Sequence, residues 1–243
     1  IPFEQYYFLE GHSVGLRNIG KGKESIKIAN FCIDTASQND HHLSRLSCSY
    51  QNLQTSFWLG NSDEWNKQIA TTMTLLERFD VKTDHIYEIR FFMKFLQAQT
   101  LIQNQNWEQA ELIVQQLEIV RENTNIPLAE VWLNFLKADL WSAKSDETKL
   151  REMQKDFEID TFSTPQSCLQ YFVQHRIAKY LMDNTRNSQF LHTIIDQKCI
   201  SNENTKILLS AFSRIEHIMV LQNNLENASE VSKIIEEVDQ IWL

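Results

Sequence analysis

No glycine follows Gly60 in this chain of 243 residues, and only Pro127 and Pro165 interrupt the same stretch. Tight β-hairpins need residues at positive φ, which glycine supplies at least cost, so a hairpin-rich β architecture is hard to build from such a sequence. Leu, Gln, Glu, Lys and Ala dominate the remainder, and all are good helix formers. The chain is expected to be all-α. Hydrophobic residues at 42% and charged residues at 23% are the proportions of a folded protein, which excludes wholesale disorder.

The helices are expected to recur as a unit. In the stretch 101–122, LIQNQNWEQAELIVQQLEIVRE, an apolar helix end runs into a polar turn and then into a second helix. Similar joints occur at FWLGNSDEWNKQI, LWSAKSDETKL, YLMDNTRNSQFL and VLQNNLENASEV, with a weaker one at LRNIGKGKESIKI. One apolar position early in each second helix gives Ile28, Ile69, Ala110, Leu150, Leu191 and Val231, spaced by 40 or 41 residues. A fixed period of this length marks a helical repeat. Thr164-Pro165 reads as an N-cap followed by proline at the first helical position, where the missing N–H does no harm. Asn125-Ile126-Pro127 and Asp84 read as equivalent starts. Six helical hairpins follow, at about 3–36, 40–79, 84–123, 126–159, 164–199 and 202–243, and they are taken as one repeat domain covering residues 1–243.

Apolar spacing supports the pairing. Trp107, Ala110, Leu112, Ile113, Leu117 and Val120 recur every three to five residues or closer, as one broad stripe on a second helix. The preceding helix is apolar on more than one face, through Ile86, Ile89, Phe91, Phe92, Phe95, Leu96, Ala98, Leu101 and Ile102. A hairpin cannot bury that surface alone, whereas stacked hairpins can, and the product is an α-solenoid.

These residues resemble the tetratricopeptide repeat (TPR). In that family a small residue in the first helix precedes an alanine in the second by twelve positions, and Ala98 with Ala110 has that step, followed by Val114 and Leu117. Ala138 with Leu150 keeps the spacing, while Phe57 with Ile69 and Met219 with Val231 keep only the hydrophobic pattern. The period is near 40 rather than 34. The resemblance implies a TPR-like right-handed superhelix. A narrower resemblance is to the superhelical sensor domain of LuxR-family signal-transduction ATPases, the bacterial transcriptional regulators typified by the maltose-regulon activator. It rests on divergent repeats of this length, an acidic composition, and a chain that opens on Ile1 like a domain of a longer protein.

Lys and Arg number 23 against 32 Asp and Glu, a net charge of −9. An acidic surface repels phosphate backbones, so no direct nucleic-acid contact is expected. No apolar run reaches the ~20 residues of a membrane span. Cys32, Cys48, Cys168 and Cys199 are widely spaced and read as reduced, buried small hydrophobes of a cytoplasmic protein.

Catalytic and metal chemistry find little support. His41-His42 lacks further ligands at suitable spacing and reads as a solvated helix start. His85 with Glu88 makes a single step on one helical face, and His12 stands among polar neighbours; neither is a ligand set. Cys168 and His175 are seven apart and share a helix face, but most residues at two-turn spacing do so. Gly20-Lys21-Gly22-Lys23 lacks the Walker spacing and reads as a hairpin turn, with Arg17 and Lys27 completing a modest basic cluster. No cofactor, metal or catalytic residue is assigned, and the chain is expected not to be an enzyme.

The aromatics carry the remaining signal. Of six tryptophans, Trp65 and Trp107 open equivalent second helices and are expected to pack hairpin on hairpin. Trp141 and Trp242 complete the set with Trp58 and Trp132, which lie on first helices. In the TPR-like frame first helices line the concave surface. The twelve-residue frame places Gln51, Gln54 and Trp58, then Phe92, Phe95 and Gln99, then Trp132, Phe135 and Asp139 on it. Rings mixed with amides and a carboxylate suit a polar organic ligand; the competing role is core between helices. The expected function is ligand sensing or interaction within a transcriptional regulator, with a small effector or a partner protein in the groove. A scaffold holding a peptide or partner helix is the alternative, and self-association is left open.

Overall fold

A computed structural model of the chain describes residues 3–19, 21–59, 62–79, 83–126, 128–155, 165–183, 186 and 189–190. Among them lie nine helices: α1 (Phe3–Asn18), α2 (Gly22–Gln38), α3 (His42–Trp58), α4 (Ser62–Leu76), α5 (Asp84–Gln103), α6 (Trp107–Asn123), α7 (Ala129–Ala143), α8 (Glu147–Lys155) and α9 (Pro165–Tyr180). No strand occurs among the described residues, and the protein is all-α. The helices gather into two compact units, one holding α1–α4 and the other α5–α9.

Helix α2 runs two residues past the bound of 36 expected for the first hairpin, while α3/α4, α5/α6 and α7/α8 lie inside the ranges 40–79, 84–123 and 126–159 and α9 inside 164–199. The rest of the fifth hairpin beyond Phe190 and the whole sixth, with Leu191, Met219, Val231 and Trp242, lie outside the described residues. Within the second unit α7 is the central element, packing against α5, α6, α8 and α9. In the first, α3 packs against α1, α2 and α4.

Without glycine, the turns place other residues in the left-handed region. Gln105 (φ 59°), Ser145 (φ 55°) and Met182 (φ 54°) stand just past α5, α7 and α9, and Asp40 (φ 55°) stands past α2. Each closes its helix with the same pair of bonds. Asn106 N–H donates to Leu101 O at 2.8 Å and Gln105 N–H to Ile102 O at 3.0 Å. Asp146 and Ser145 repeat this on Trp141 and Ser142, and Asp183 and Met182 on Ala178 and Lys179. This is the Schellman closure, which glycine usually completes; a left-handed non-glycine residue costs on the order of 1 kcal/mol. The same closure ends α2, α5, α7 and α9.

Three local expectations are corrected. The cap of α5 is Thr83, whose hydroxyl accepts from Ile86 N–H at 3.4 Å, so Asp84 is already helical. α7 begins at Ala129 rather than at Pro127, after a left-handed Leu128 (φ 59°) that offers no side-chain cap. The buried stripe of α6 is Ala110, Ile113, Val114 and Leu117. At 3.6 residues per turn Leu112 falls on the opposite side and is exposed, as are Trp107 and Ile119. Trp65, by contrast, is buried against Phe57 with ring centroids 5.4 Å apart. Ala98 and Ala110 are both fully enclosed, as are Ala138 and Leu150.

The cysteines are not reduced. Cys32 on α2 is disulfide-bonded to Cys48 on α3, with Cα atoms 6.1 Å apart. The pair lies in a buried cluster with Tyr6 and Ala36, flanked by Leu9 and Ile33. Cys168 is disulfide-bonded as well, to a partner outside the described residues. The spacing of 16 between Cys32 and Cys48 gives no short-range signature; the antiparallel turn of α2 into α3 brings them together. Closing a loop of that length stabilises a chain by about 3 kcal/mol, chiefly by restricting the unfolded state. Replacing both by alanine (Cys32→Ala with Cys48→Ala) should lower the unfolding free energy of the full chain by about this amount. Urea titration followed by circular dichroism checks it.

Candidate functional site

In the second unit, two of the three candidate rows meet. Phe92 and Phe95 on α5 face Trp132 and Phe135 on α7. Trp132 stands edge-on to both phenylalanines, with centroids 5.8 and 5.2 Å away. Phe95 lies 6.4 Å from Phe135, and Phe92 stacks 5.9 Å from Phe95. Edge-to-face and offset pairs of this kind add about 0.5–1.5 kcal/mol each beyond area burial. One turn further along, Gln99 Nε2 donates to Asp139 Oδ2 at 2.9 Å, across 40 residues of sequence. Phe92 meets Trp132 and Phe95 meets Phe135 at that same separation of 40 residues.

Asp139 is the centre of a buried polar group. Its Oδ1 accepts from Arg176 Nη2 on α9 at 2.5 Å, and both side chains are 0% exposed. Tyr180 Oη donates to the same Oδ1 at 3.3 Å and accepts from Arg176 Nε at 3.0 Å. The guanidinium also lies 4.4 Å from the Phe135 ring centroid. Gln99 must present its amide nitrogen here, because its carbonyl oxygen would meet a carboxylate. Oδ1 and Oδ2 are thereby bound from α9 and α5, with α7 between them.

Sequence reasoning singled out neither Arg176 nor Tyr180. The signal was the charge itself: Arg176 sits in a run, residues 168–178, in which every side chain but the half-buried Gln170 is buried. An arginine inside such a helix requires a partner. Asp139, between Ala138 and Leu140, is the matching anion.

The burial of these residues bears on their use. Phe92, Phe95, Gln99, Phe135 and Asp139 are buried, and Trp132 alone of the six is partly exposed. They form the packing between first helices, with the indole at its edge.

The remaining candidates lie in the first unit. Gln51 and Gln54 on α3 both accept from Arg17 Nη1 on α1, each at 2.7 Å. Gln54 also donates to Tyr50 Oη, and Gln51 Nε2 reaches Glu10 at 3.4 Å. The side chain of Trp58 is outside the described set. Arg17, read from sequence as part of a basic cluster, is buried and serves these amides. Of the candidates whose side chains are described, Gln51 and Gln54 belong to the first unit and the other six to the second.

Several other titratable groups are committed to packing or pairing. His41 lies 5.0 Å from the Tyr6 ring. The disulfide at Cys168 removes the thiolate that nucleophilic use with His175 requires. Among the described residues no three His, Cys, Asp or Glu gather as a metal site. Glu111 on α6 is clamped by Lys144 at 2.5 Å and Lys149 at 3.2 Å, while Lys149 stands 3.7 Å over the Trp141 ring. The Lys144 hydrogen bond, opposed by desolvation, holds the Glu111 carboxyl below its usual value.

Compared with known proteins, the chain matches no family model, no curated protein and no solved structure.

Removing one member of the buried pair strands the other. Asp139→Ala should cost about 3–5 kcal/mol, and Asp139→Leu combined with Arg176→Met should cost less than the sum of the two single changes. Chemical denaturation of the four proteins in that cycle measures the coupling. At Glu111 the sign differs from a buried base. A lowered carboxyl pKa contributes stability above the unfolded value of 4.5 and loses it as pH falls through the folded value. Glu111→Gln should therefore cost roughly 1 kcal/mol or less at neutral pH. The gap from wild type should close in melts run progressively below pH 4.5.

Proposed function

We propose that this chain is a non-enzymatic, TPR-like helical-repeat module that senses a small effector or a partner protein, within a bacterial transcriptional regulator. The observation that carries the reading is the register of α5 on α7, in which Phe92, Phe95 and Gln99 each meet the residue 40 positions on. Equivalent helices stacked through equivalent residues are the working principle of repeat proteins. Transcriptional output in this reading comes from a separate DNA-binding module, in keeping with the net charge of −9.

Binding acts on helix packing. Trp132, at the exposed edge of the ring cluster, is the contact point for an effector, and the rings beneath it belong to both α5 and α7. A ligand that prefers one spacing of those helices shifts the equilibrium only by its difference in affinity for the two arrangements. The Asp139 group then passes the shift to α9, because Arg176 and Tyr180 move with the carboxylate or lose it.

No helix among the described residues is long and apolar enough to cross a membrane. The cytoplasmic location expected from cysteine spacing conflicts with the Cys32–Cys48 bond, since disulfides persist mainly in oxidising compartments.

A second reading is a scaffold for an extended peptide. It is favoured by Asn134 on α7 and Gln170 on α9, half-buried amides that pair at 3.5 Å. Each keeps donor and acceptor capacity of the kind a peptide backbone uses.

Titration of the full chain with carbohydrates and other metabolites, following tryptophan fluorescence, separates the two. Sensing predicts a saturable change that Trp132→Phe abolishes. Absence of any metabolite response, together with capture of peptides weakened by Asn134→Ala, would establish the scaffold reading instead.

A further inference from the structure

Helix α6 buries Ala110, Ile113, Val114 and Leu117 and turns a second apolar line outward. Leu112 and Ile119 are 57% and 60% exposed. They are seven residues apart, close to two turns of helix, and so stand on one side. Single exposed apolar residues are ordinary on a protein surface, but these two belong to a pattern. Glu108, Leu112, Gln115, Ile119 and Glu122, all exposed, follow one another at steps of four, three, four and three. That alternation is the one by which a helix meets another along a seam.

The charges of α6 divide between this line and the rest of the helix. Glu111 and Glu118 lie off the line and are neutralised within the unit. Glu111 pairs with Lys144 at 2.5 Å and Lys149 at 3.2 Å, and Glu118 with Lys137 at 2.5 Å. Gln116, beside the line, accepts from Lys94. On the line itself every ionisable group is acidic: Glu108 one turn before Leu112, and Glu122 just past Ile119. Arg121, the one base of the helix, starts from the opposite side by periodicity and comes within 3.7 Å of Glu122.

We propose that this seam docks a cationic amphipathic helix of another protein, with two aliphatic side chains seven residues apart and lysine or arginine one turn outside each. Leu112 and Ile119 form the desolvated centre of the contact. Glu108 and Glu122 meet the bases at its rim, where charge steers encounter and rejects wrong partners. A second copy of this chain does not fit. Antiparallel pairing lays Leu112 on Ile119 but sets Glu108 against Glu122, and parallel pairing sets each acid against itself; like charges oppose both. Nucleic acid is repelled by the same acids. A seam of two aliphatic residues buries far less than the ~1,600 Å² of a standard interface, so the contact is weak and reversible. It is separate from the effector reading of Trp132, which lies on α7.

Fluorescence anisotropy of a labelled, alanine-based helical peptide titrated with the full chain tests it. The probe carries two leucines seven residues apart and a lysine one turn beyond each, and a control peptide carries glutamate in place of lysine. Wild type should bind the lysine probe saturably with a Kd below about 100 µM, and about tenfold or more tighter than the control. Leu112→Gln with Ile119→Gln should weaken binding about tenfold or more. Helix content and melting temperature should stay at wild-type values, since both side chains are already exposed. Glu108→Lys with Glu122→Lys should reverse the preference between the two peptides. Failure of wild type to bind the lysine probe overturns the proposal, and so does binding that survives the glutamine changes. Reversible dimerisation of wild type in sedimentation, lost in the glutamine variant, would assign the seam to a second copy and overturn it equally.

Discussion

The carboxylate of Asp139 has no access to water, and no single helix satisfies it. One oxygen is bound by Arg176 and Tyr180 of α9, the other by Gln99 of α5. Taking an ionised group out of water costs several kcal/mol, recovered only when partners meet it in good geometry. Sliding α5 or α9 by one turn along α7 would carry a partner about 5.4 Å away. The apolar rings alone would tolerate such a slip far better, because hydrophobic contact is not directional. The charge therefore selects one register, and Phe92, Phe95, Trp132 and Phe135 fill the space that register leaves.

The same device holds the first unit with different residues. Arg17 of α1 is bound by Gln51 and Gln54 of α3, and Glu10 accepts from Ser47 at 2.6 Å. Beneath them Ser13, Ser25 and Thr55 form a hydroxyl chain across α1, α2 and α3, and Asn52 bonds Asn30 at 2.6 Å. These polar groups lie in a unit that also buries Leu46, Leu53, Phe57 and Trp65, and their directional bonds add specificity to that apolar packing. The Cys32–Cys48 bond fastens α2 to α3.

Much of this was legible in the sequence, and the omissions have physical causes. The helical class showed because helix propensity and apolar periodicity are local. The row Phe92, Phe95, Gln99 and its counterpart Trp132, Phe135, Asp139 came from spacing alone, and the two rows meet across α5 and α7. Their burial did not show, because the same pattern serves a groove lining and an interhelix core. Arg176 was passed over although its apolar surroundings demanded an anion. The disulfide was invisible because Cys32 and Cys48 become neighbours only after the chain reverses at Asp40. Leu112 was misplaced because counting apolar residues every three to five positions admits one on the far side of the helix. The Schellman turns without glycine escaped notice for a simpler reason: Gln105, Ser145 and Met182 are ordinary residues whose strain is imposed by the fold.

If Asp139 locks α5, α7 and α9 together, the three helices should open as one unit. Hydrogen exchange of the full chain, wild type against Asp139→Asn, reads this directly. The account predicts that the variant speeds amide exchange in α5, α7 and α9 alike, while α1–α3 keep wild-type protection. Faster exchange confined to α7, with α5 and α9 unchanged, would show that the carboxylate serves its own helix only and would contradict the account.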